Sequence, residues 1–237
     1  ILGNGGKADF LITGGWSQKA IKEARSIGDV EVAWDGSAEG FRSVPANGDY
    51  DIRADADYLH YTSNNTLFGT QFHHLPDSGG KPRVVDASSD ICGVPLDVSS
   101  HDLVYAGAQK NLGPSGVTLV ILSPWAMSRI GDGLPAMLDY RTHVSKGSMF
   151  NTPNTFGIFV LDRVMAWVER NGGMEGAIER NRAKAALLYR ELDRTPFWAP
   201  HADGGSRSVM NVTWRLADES LEPVFLGEAA AAGLGGL

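Results

Sequence analysis

The segment YAGAQKNLGPSG, at residues 105–116, constrains this chain most, because it places one lysine, Lys110, among small and apolar residues. An ammonium group is costly to bury without a partner, so such surroundings are unusual for a lysine. The apolar residues 103–105 precede it and a Gly/Pro turn follows, which predicts a buried strand that carries Lys110 to its carboxyl end. A desolvated lysine has a lowered pKa, and its free amine can form a Schiff base with an aldehyde. Taken alone, the segment also fits an ordinary solvated lysine.

A carboxylate lies at the corresponding place in another predicted strand. Asp86 ends the apolar run RVVD at residues 83–86, and it precedes Lys110 by 24 residues. If the two strands are parallel neighbours, the carboxylate and the amine meet at one sheet edge, where each stabilises the charged form of the other. Pyridoxal phosphate needs this pair, because a lysine holds its aldehyde carbon and a carboxylate keeps its pyridine nitrogen protonated. Without Lys110, Asp86 would be interpreted as a strand-end or turn cap.

Segments of specific sequence occur in a fixed order along the chain. They are YLHYTSNNT (58–66), DASSDI (86–91), PLDVS (95–99), YAGAQKN (105–111) and GSMFNTP (147–153). On these segments the chain resembles the phosphoserine aminotransferases, which are class V pyridoxal-phosphate aminotransferases of the aspartate-aminotransferase fold. The resemblance runs from residue 8 to the last predicted helix. It implies an α/β protein of the PLP-dependent transferase fold type I, with a mostly parallel central sheet, flanking helices and part of a small α+β C-terminal domain.

The resemblance also implies roles for individual residues. Lys110 would hold the cofactor as a Schiff base and, once released, act as the base that moves the substrate proton. Asp86 would pair with the pyridinium nitrogen, and Trp16 would stack on the ring, although core packing is an equally open interpretation of a tryptophan there. Thr66 and Gln109 would hydrogen-bond the cofactor, Gln109 on its phosphate side.

Two more residues are implied to act across a subunit boundary. Asn151 and Thr152 match residues that reach the cofactor phosphate from the neighbouring subunit, so the expected form is a homodimer with shared active sites. The chain departs from the family at Asn65, where a glutamate is usual, and we interpret this as variation. The family's glycine-rich phosphate loop, its substrate-binding His–Arg pair and a later stretch of His and Arg residues have no counterpart in this sequence. We therefore expect it to be part of a longer protein.

The implied reaction is a ping-pong transamination with pyridoxal 5′-phosphate as cofactor. Glutamate would give its amino group and leave as 2-oxoglutarate, after which 3-phosphohydroxypyruvate would be converted to phosphoserine, a step of serine biosynthesis. A related four-carbon phosphorylated 2-oxo acid, on the pyridoxine route, is implied as well. The expected partners are these small molecules and a second copy of the chain.

Composition disfavours several other classes of function. Asp and Glu number 28 against 21 Lys and Arg, and no basic stripe occurs, so we expect no nucleic-acid partner. The single cysteine, Cys92, excludes a disulfide within the chain and suggests a reducing cytoplasm. The apolar runs are too short to predict a membrane span. The histidines are scattered, or adjacent as at His73 and His74, which predicts no metal site.

The pattern of apolar residues predicts alternating strands and helices. Strands are expected at residues 8–13, 30–34, 58–62, 83–86, 103–106 and 117–122, and helices at 17–26, 156–168 and 174–194. Residues 35–57 are predicted to loop over the surface, and residues 208–216 to form a half-exposed antiparallel strand. The Asn-Gly-Gly sequence at 171–173 ends a helix and predicts the boundary between a large cofactor-binding domain (1–171) and a smaller domain (172–237).

Three alternatives stay open on the sequence. One is another enzyme of the same fold, such as a different aminotransferase or a desulfurase, although no histidine directly precedes Lys110. A second is a non-catalytic protein that uses the fold for cofactor binding or dimerisation. The third is a nucleotide-binding α/β protein, for which the glycine fingerprint is lacking.

Overall fold

The computed structural model describes residues 1–3 and 5–235. The strands are β1 (Lys7–Ile12), β2 (Asp29–Asp35), β3 (Tyr58–Thr62), β4 (Asn64–Asn65), β5 (Thr70–Gln71), β6 (Arg83–Asp86), β7 (Leu103–Gly107), β8 (Thr118–Leu122), β9 (Trp198–Pro200) and β10 (Trp214–Leu216). The α-helices are α1 (Gly15–Arg25), α2 (Pro124–Ser128), α3 (Tyr140–Ser145), α4 (Thr155–Arg170), α5 (Gly173–Arg194) and α6 (Glu222–Ala231). The strands predicted from apolar runs in the first 122 residues all form, within two residues of the expected bounds.

A six-stranded sheet in the order β2-β1-β3-β6-β7-β8 organises the described chain. Its first five strands are parallel, and only β8 runs antiparallel, against β7. The central strands β3 and β6 are direct neighbours, as are β6 and β7. The expected parallel arrangement of the strands that carry Asp86 and Lys110 is therefore confirmed.

Apolar side chains alternate between the two faces of this sheet, and each face is covered. On β1, Phe10 points into one apolar cluster, with Ile21 of α1, while Leu11 points into the other, with Leu59 of β3. Strands that are buried on both faces are nearly continuously apolar, which is why short runs such as RVVD marked them in the sequence. The sheet is thus packed on both faces, and the ends of its strands place the residues that follow them.

Two segments differ from the sequence predictions. Residues 35–57 do not simply loop over the surface, since they contain a 3-10 turn and bury Phe41 and Ala56. Residues 208–216 form a strand only at β10, which pairs with β9. Before β10, Ser208 Oγ donates a hydrogen bond to Asn64 Oδ1 and accepts from the backbone N–H groups of Met210 and Asn211, which gives a local turn in place of a strand. Contacts between residues that are distant in the sequence cannot be predicted from its local periodicity.

Helices α4 and α5 form as predicted and meet at the glycines before α5. The buried side chains of α5 include Ala185 and Leu192, whereas Leu188 is exposed. The position of a domain boundary at 171–172 stays a prediction. Among the described residues, no helix combines the length and the apolar character that a membrane crossing needs.

Candidate functional site

The site lies where parallel strands β1, β3, β6 and β7 end at one edge of the sheet. After β1 the chain turns at Gly14 into α1, which begins with Trp16 in its first turn. Asp86 is the last residue of β6, and Lys110 follows the end of β7 by three residues. Because adjacent parallel strands end at the same edge, these residues are brought together from distant parts of the chain.

A small cavity of about 60 Å³ lies at this edge. Its lining residues come from four separate segments and are Trp16, Thr62, Asn64, Asp86, Ser88, Ser89, Gln109 and Lys110. The structure therefore brings together Lys110, Asp86, Trp16 and Gln109, all of which were predicted site residues. Thr66 joins them through a hydrogen bond to Lys110.

Lys110 is half-buried and poised between an aromatic ring and a hydroxyl. Its Nζ donates a hydrogen bond to Thr66 Oγ1 and lies 5.4 Å from the centre of the Trp16 ring. Burial lowers the pKa of Lys110, while the negative charges of Asp86 and Asp90 oppose that shift. A lowered pKa makes the neutral, nucleophilic amine more accessible, as required of a lysine that attacks a carbonyl.

Trp16 presents its indole at the mouth of the cavity. Trp16 is 42% exposed, which is contrary to the core-packing interpretation and leaves part of the indole accessible to a ligand. The turn that places it depends on Gly14, because a Cβ there would lie 2.4 Å from Asn65 Oδ1. Lys19 Nζ also lies over this ring, 4.4 Å from its centre.

Asp86 is fixed through one oxygen and leaves the other available. Its Oδ1 accepts hydrogen bonds from the backbone N–H of Ser88 at 3.0 Å and from Ser88 Oγ at 2.6 Å. Ser88 Oγ in turn accepts from Gly107 N at 3.1 Å, which links the ends of β6 and β7. No described residue donates to Asp86 Oδ2. One carboxylate oxygen is thus held in place without a protein partner.

Sequence reasoning assigned no role to the cavity-lining residues Thr62, Asn64 and Ser89. Asn64 Nδ2 donates to Ser89 Oγ and to Asn211 Oδ1, both at 2.8 Å, and its Oδ1 accepts from Ser208. The polar sequence TSNNT (62–66) at the end of β3 indicated polar groups here. It could not predict the partners of Asn64, which lie up to 147 residues away. Asn64 therefore connects the cavity to the C-terminal part of the chain.

A second carboxylate, Asp90, is buried and follows the cavity-lining residue Ser89 in the chain. Ser63 Oγ donates to its Oδ1 at 2.5 Å, and Gln71 Nε2 donates to its Oδ2 at 3.0 Å. Burial raises the pKa of Asp90 to about 6, against the opposing effect of these two hydrogen bonds. Asp90 also contributes to the electrostatic field at Lys110, so the site holds two acidic groups and one amine.

Asn151 and Thr152 do not line this cavity. Both are exposed, in the segment between α3 and α4, and Asn151 Nδ2 contacts Met137 Sδ at 2.9 Å. The structure thus does not bring these two predicted residues to the Lys110 of their own chain. Their role stays a prediction, and it requires a second subunit.

Other chemically interesting residues lie apart from the site. Cys92 is half-buried, and burial raises its pKa, which is contrary to what a nucleophilic thiol needs. Across residues 1–3 and 5–235, no group of three or more His, Cys, Asp or Glu side chains has the arrangement of a metal site.

Known proteins resemble the chain along its whole length. A family model described as aminotransferase class-V matches residues 2–236. The phosphoserine aminotransferase of Desulfotalea psychrophila is 48% identical over 237 residues, which is 100% of this chain and 65% of that protein. That of Lysinibacillus sphaericus is 47% identical over 98% of this chain and 64% of the relative. The chain spans about 65% of the length of the curated relatives that it matches.

Solved structures agree with the sequence relatives. Phosphoserine aminotransferase from Bacillus circulans subsp. alkalophilus superposes with a TM-score of 0.93 at 44% identity, covering 98% of this chain and 65% of that one. The Trichomonas vaginalis enzyme gives a TM-score of 0.88 at 27% identity, covering 98% and 67%. These similarities confirm the expected α/β fold, that of the PLP-dependent transferases of fold type I. With a family model that covers residues 2–236, the chain belongs to the class-V aminotransferases.

Proposed function

We propose that this chain is the cofactor-binding core of a phosphoserine aminotransferase, which transfers an amino group between glutamate and 3-phosphohydroxypyruvate with pyridoxal 5′-phosphate. The observation that carries the proposal is the meeting of Lys110, Asp86 and Trp16 at one cavity. The relatives named phosphoserine aminotransferase, at 48% and 47% identity, support the choice of substrates. The reaction belongs to serine biosynthesis, with the four-carbon analogue of the pyridoxine route as a further substrate, and we place it in the cytoplasm.

The residues fit pyridoxal phosphate in chemistry. The cavity offers an exposed aromatic face on Trp16, an amine on Lys110 and a carboxylate oxygen on Asp86 without a protein donor. It also contains one hydroxyl, Thr62 Oγ1, with no hydrogen-bond partner among the described residues. A flat, positively charged heterocycle with polar substituents would satisfy each of these groups. When bound, this cofactor supplies an electron sink for the bond that breaks at the substrate's α-carbon.

Lys110 would perform both covalent attachment and proton transfer. Its Nζ, with a pKa lowered by burial, would hold the cofactor at its aldehyde carbon and would be free when substrate is bound. The released Nζ remains tethered at the cavity and can move a proton from the α-carbon as a general base. Thr66 Oγ1, which already accepts its hydrogen bond, would hold Nζ in that direction.

The other residues would orient the ring. Trp16 would stack on one face, and Asp86 would hold a proton on the pyridine nitrogen, because its charge stabilises the protonated heterocycle. Ser88 keeps the Asp86 carboxylate in one orientation through two hydrogen bonds. Gln109, exposed at the rim of the cavity, would contact the phosphate side.

A homodimer with shared sites forms part of the same proposal. Large apolar side chains are exposed from the segment before α3 to α4, namely Met137, Leu138, Val144, Met149, Phe150, Phe156 and Phe159. Exposed apolar surface on this scale is typical of an interface. Asn151 and Thr152 lie within this stretch and do not line their own chain's cavity. A second copy that covers this surface would bring them to the neighbouring Lys110.

Borohydride reduction tests the cofactor assignment. The full-length protein that contains this sequence is saturated with pyridoxal phosphate, reduced with borohydride and digested. The modified lysine is then identified by mass spectrometry. We expect a pyridoxyl group on Lys110, and its loss in K110A. Lys19 offers a matched control, because its Nζ also lies over Trp16, and K19A should keep the adduct. Transfer from phosphoserine to 2-oxoglutarate should disappear in K110A.

Several results would contradict this assignment. An adduct on Lys19 in place of Lys110 would mean that the site residues are wrongly assigned. An adduct on Lys110 without activity on phosphoserine would favour a different aminotransferase of this fold or a protein that only binds the cofactor. Absence of any adduct would remove pyridoxal phosphate from the proposal altogether.

Mixing two inactive variants tests the shared site. K110A lacks the amine, and N151D places a negative charge where the neighbour's cofactor phosphate is expected. In a hybrid dimer, one site would combine Lys110 of the N151D subunit with Asn151 of the K110A subunit, and both are intact. Random exchange of subunits should then restore up to about a quarter of wild-type activity, since half of the dimers are hybrids and half of their sites are complete. Sites built within one subunit would give no recovery.

A further inference from the structure

Thr62 is the last residue of β3, a central strand of the sheet. Its side chain is 3% exposed and lines the Lys110 cavity. In the parallel pairing of β3 with β6, Thr62 lies directly opposite Asp86. The hydroxyl therefore occupies the same edge of the sheet as the carboxylate that is expected to hold the cofactor ring.

The hydroxyl of Thr62 is unpaired within residues 1–3 and 5–235. Its Oγ1 is fully buried and makes no hydrogen bond with any residue in the described ranges. Two nearby threonines behave differently, because Thr66 Oγ1 accepts from Lys110 and Thr13 Oγ1 accepts from Asn65. Buried hydroxyls are nearly always paired, since an unpaired one loses its hydration without compensation. A valine has the same shape as threonine and would fill this position without that cost.

We propose that Thr62 is a further cofactor-binding residue, whose hydroxyl forms a hydrogen bond with a polar atom of pyridoxal phosphate on the Asp86 side of the cavity. The inference rests on the proposed function, because it names that cofactor as the missing partner. Binding of the cofactor would supply the hydrogen bond that the protein itself does not provide.

Thr70 provides a matched control. Its side chain is fully buried on β5, and its Oγ1 is also without a hydrogen-bond partner among the described residues. Unlike Thr62, it does not line the Lys110 cavity. Replacement of either threonine by valine removes a buried hydroxyl at nearly constant shape, and only in T62V does that hydroxyl line the Lys110 cavity.

The test compares T62V, T62S and T70V with wild type in two measurements. The first is the thermal midpoint of the protein without cofactor, which should rise by about 2–4 °C in both valine variants. The second is the dissociation constant of pyridoxal 5′-phosphate, from equilibrium dialysis. T62V should weaken binding by roughly 2- to 13-fold, the range expected for one hydrogen bond, while T62S and T70V should bind as wild type does.

The outcomes separate this inference from the proposed function. If wild type binds the cofactor and T62V binds equally well, Thr62 makes no cofactor contact and the inference is wrong. Equal weakening in T62V and T70V would also overturn it, because the effect would then be structural. A lower thermal midpoint in T62V alone would show that its hydroxyl is already paired, for instance by water, which removes the premise. Failure of wild type to bind the cofactor would overturn the proposed function, and this inference with it.

Discussion

Two carboxylates are buried almost completely in this chain, yet their surroundings differ. Asp9, on β1, is 1% exposed and receives both the backbone N–H and the Nε of Arg53 at 2.7 Å. Asp90, in the turn after β6, is 3% exposed and receives only neutral donors, from Ser63 and Gln71. The first region neutralises its buried charge with a cation, whereas the second does not.

The difference indicates what each carboxylate is for. Arg53 also contacts Asp29 and Glu31 at 3.3 Å, so the region around Asp9 ties a loop to the edge of the sheet and has a structural role. Asp90 has no cationic partner among the described residues. Burial of its charge opposes folding and raises its pKa. Its negative charge instead favours the protonated form of Lys110. The chain thus tolerates an unfavourable group where it influences the site.

The largest effect is expected when the cation is removed from Asp9. R53M keeps a long apolar side chain but leaves the carboxylate buried without its ion pair. Breaking a buried pair in this way typically costs about 3–5 kcal/mol in the free energy of unfolding. Urea titration of the protein without cofactor would measure the loss, and the double variant D9N/R53M should recover part of it because the uncompensated charge is gone.

This prediction would fail in two ways. If R53M lowers the free energy of unfolding by less than about 1 kcal/mol, the Asp9–Arg53 pair contributes no more than a solvated surface salt bridge, in spite of the 1% exposure of Asp9. A double variant that is as unstable as the sum of its parts would show that the loss comes from the packing of the Arg53 side chain and not from the buried charge.

The sequence carried enough information for the strands and for the pair at the centre of the site. Short apolar runs bounded by turns marked strands that are buried on both faces, and a charged residue at or just beyond the end of each of two such runs marked Asp86 and Lys110. Those features depend on local sequence and on one rule of parallel sheets. They were predictable without knowledge of any other contact.

The rest of the site depends on contacts between distant residues. Nothing in the sequence indicated a buried carboxylate at Asp90, because its donors come from β5 and from the residue after β3. Whether the Thr62 hydroxyl has a hydrogen-bond partner depends on all the residues around it, which the periodicity of the sequence does not specify. Likewise, the spacing on α4 predicted an apolar face, but not that Phe156 would be 75% exposed in the single chain.

A smaller effect of opposite sign is expected when the charge of Asp90 is removed. D90N can keep every hydrogen bond, since its amide can donate to Ser63 Oγ and accept from Gln71, while Ser63 donates to the Asp86 carbonyl at 3.1 Å. The folded-state pKa of Asp90 is raised to about 6 from 3.8, so its protonated form is favoured by folding. That contribution is complete below pH 4 and is lost as the pH rises through 6. Above pH 7, D90N should therefore be more stable than wild type by about 2–3 kcal/mol.

The pH dependence makes the comparison decisive. The stabilisation by D90N should grow between pH 4 and pH 7 and then level off, when unfolding by urea is measured at each pH. The matched substitution D9N should instead destabilise the protein at neutral pH, because it leaves Arg53 without its buried partner. If D90N destabilises the protein at pH 8 as D9N does, then the charge of Asp90 is already compensated within the fold. Asp9 and Asp90 would then have the same structural role, and the raised pKa of Asp90 would be unrelated to the function of the site.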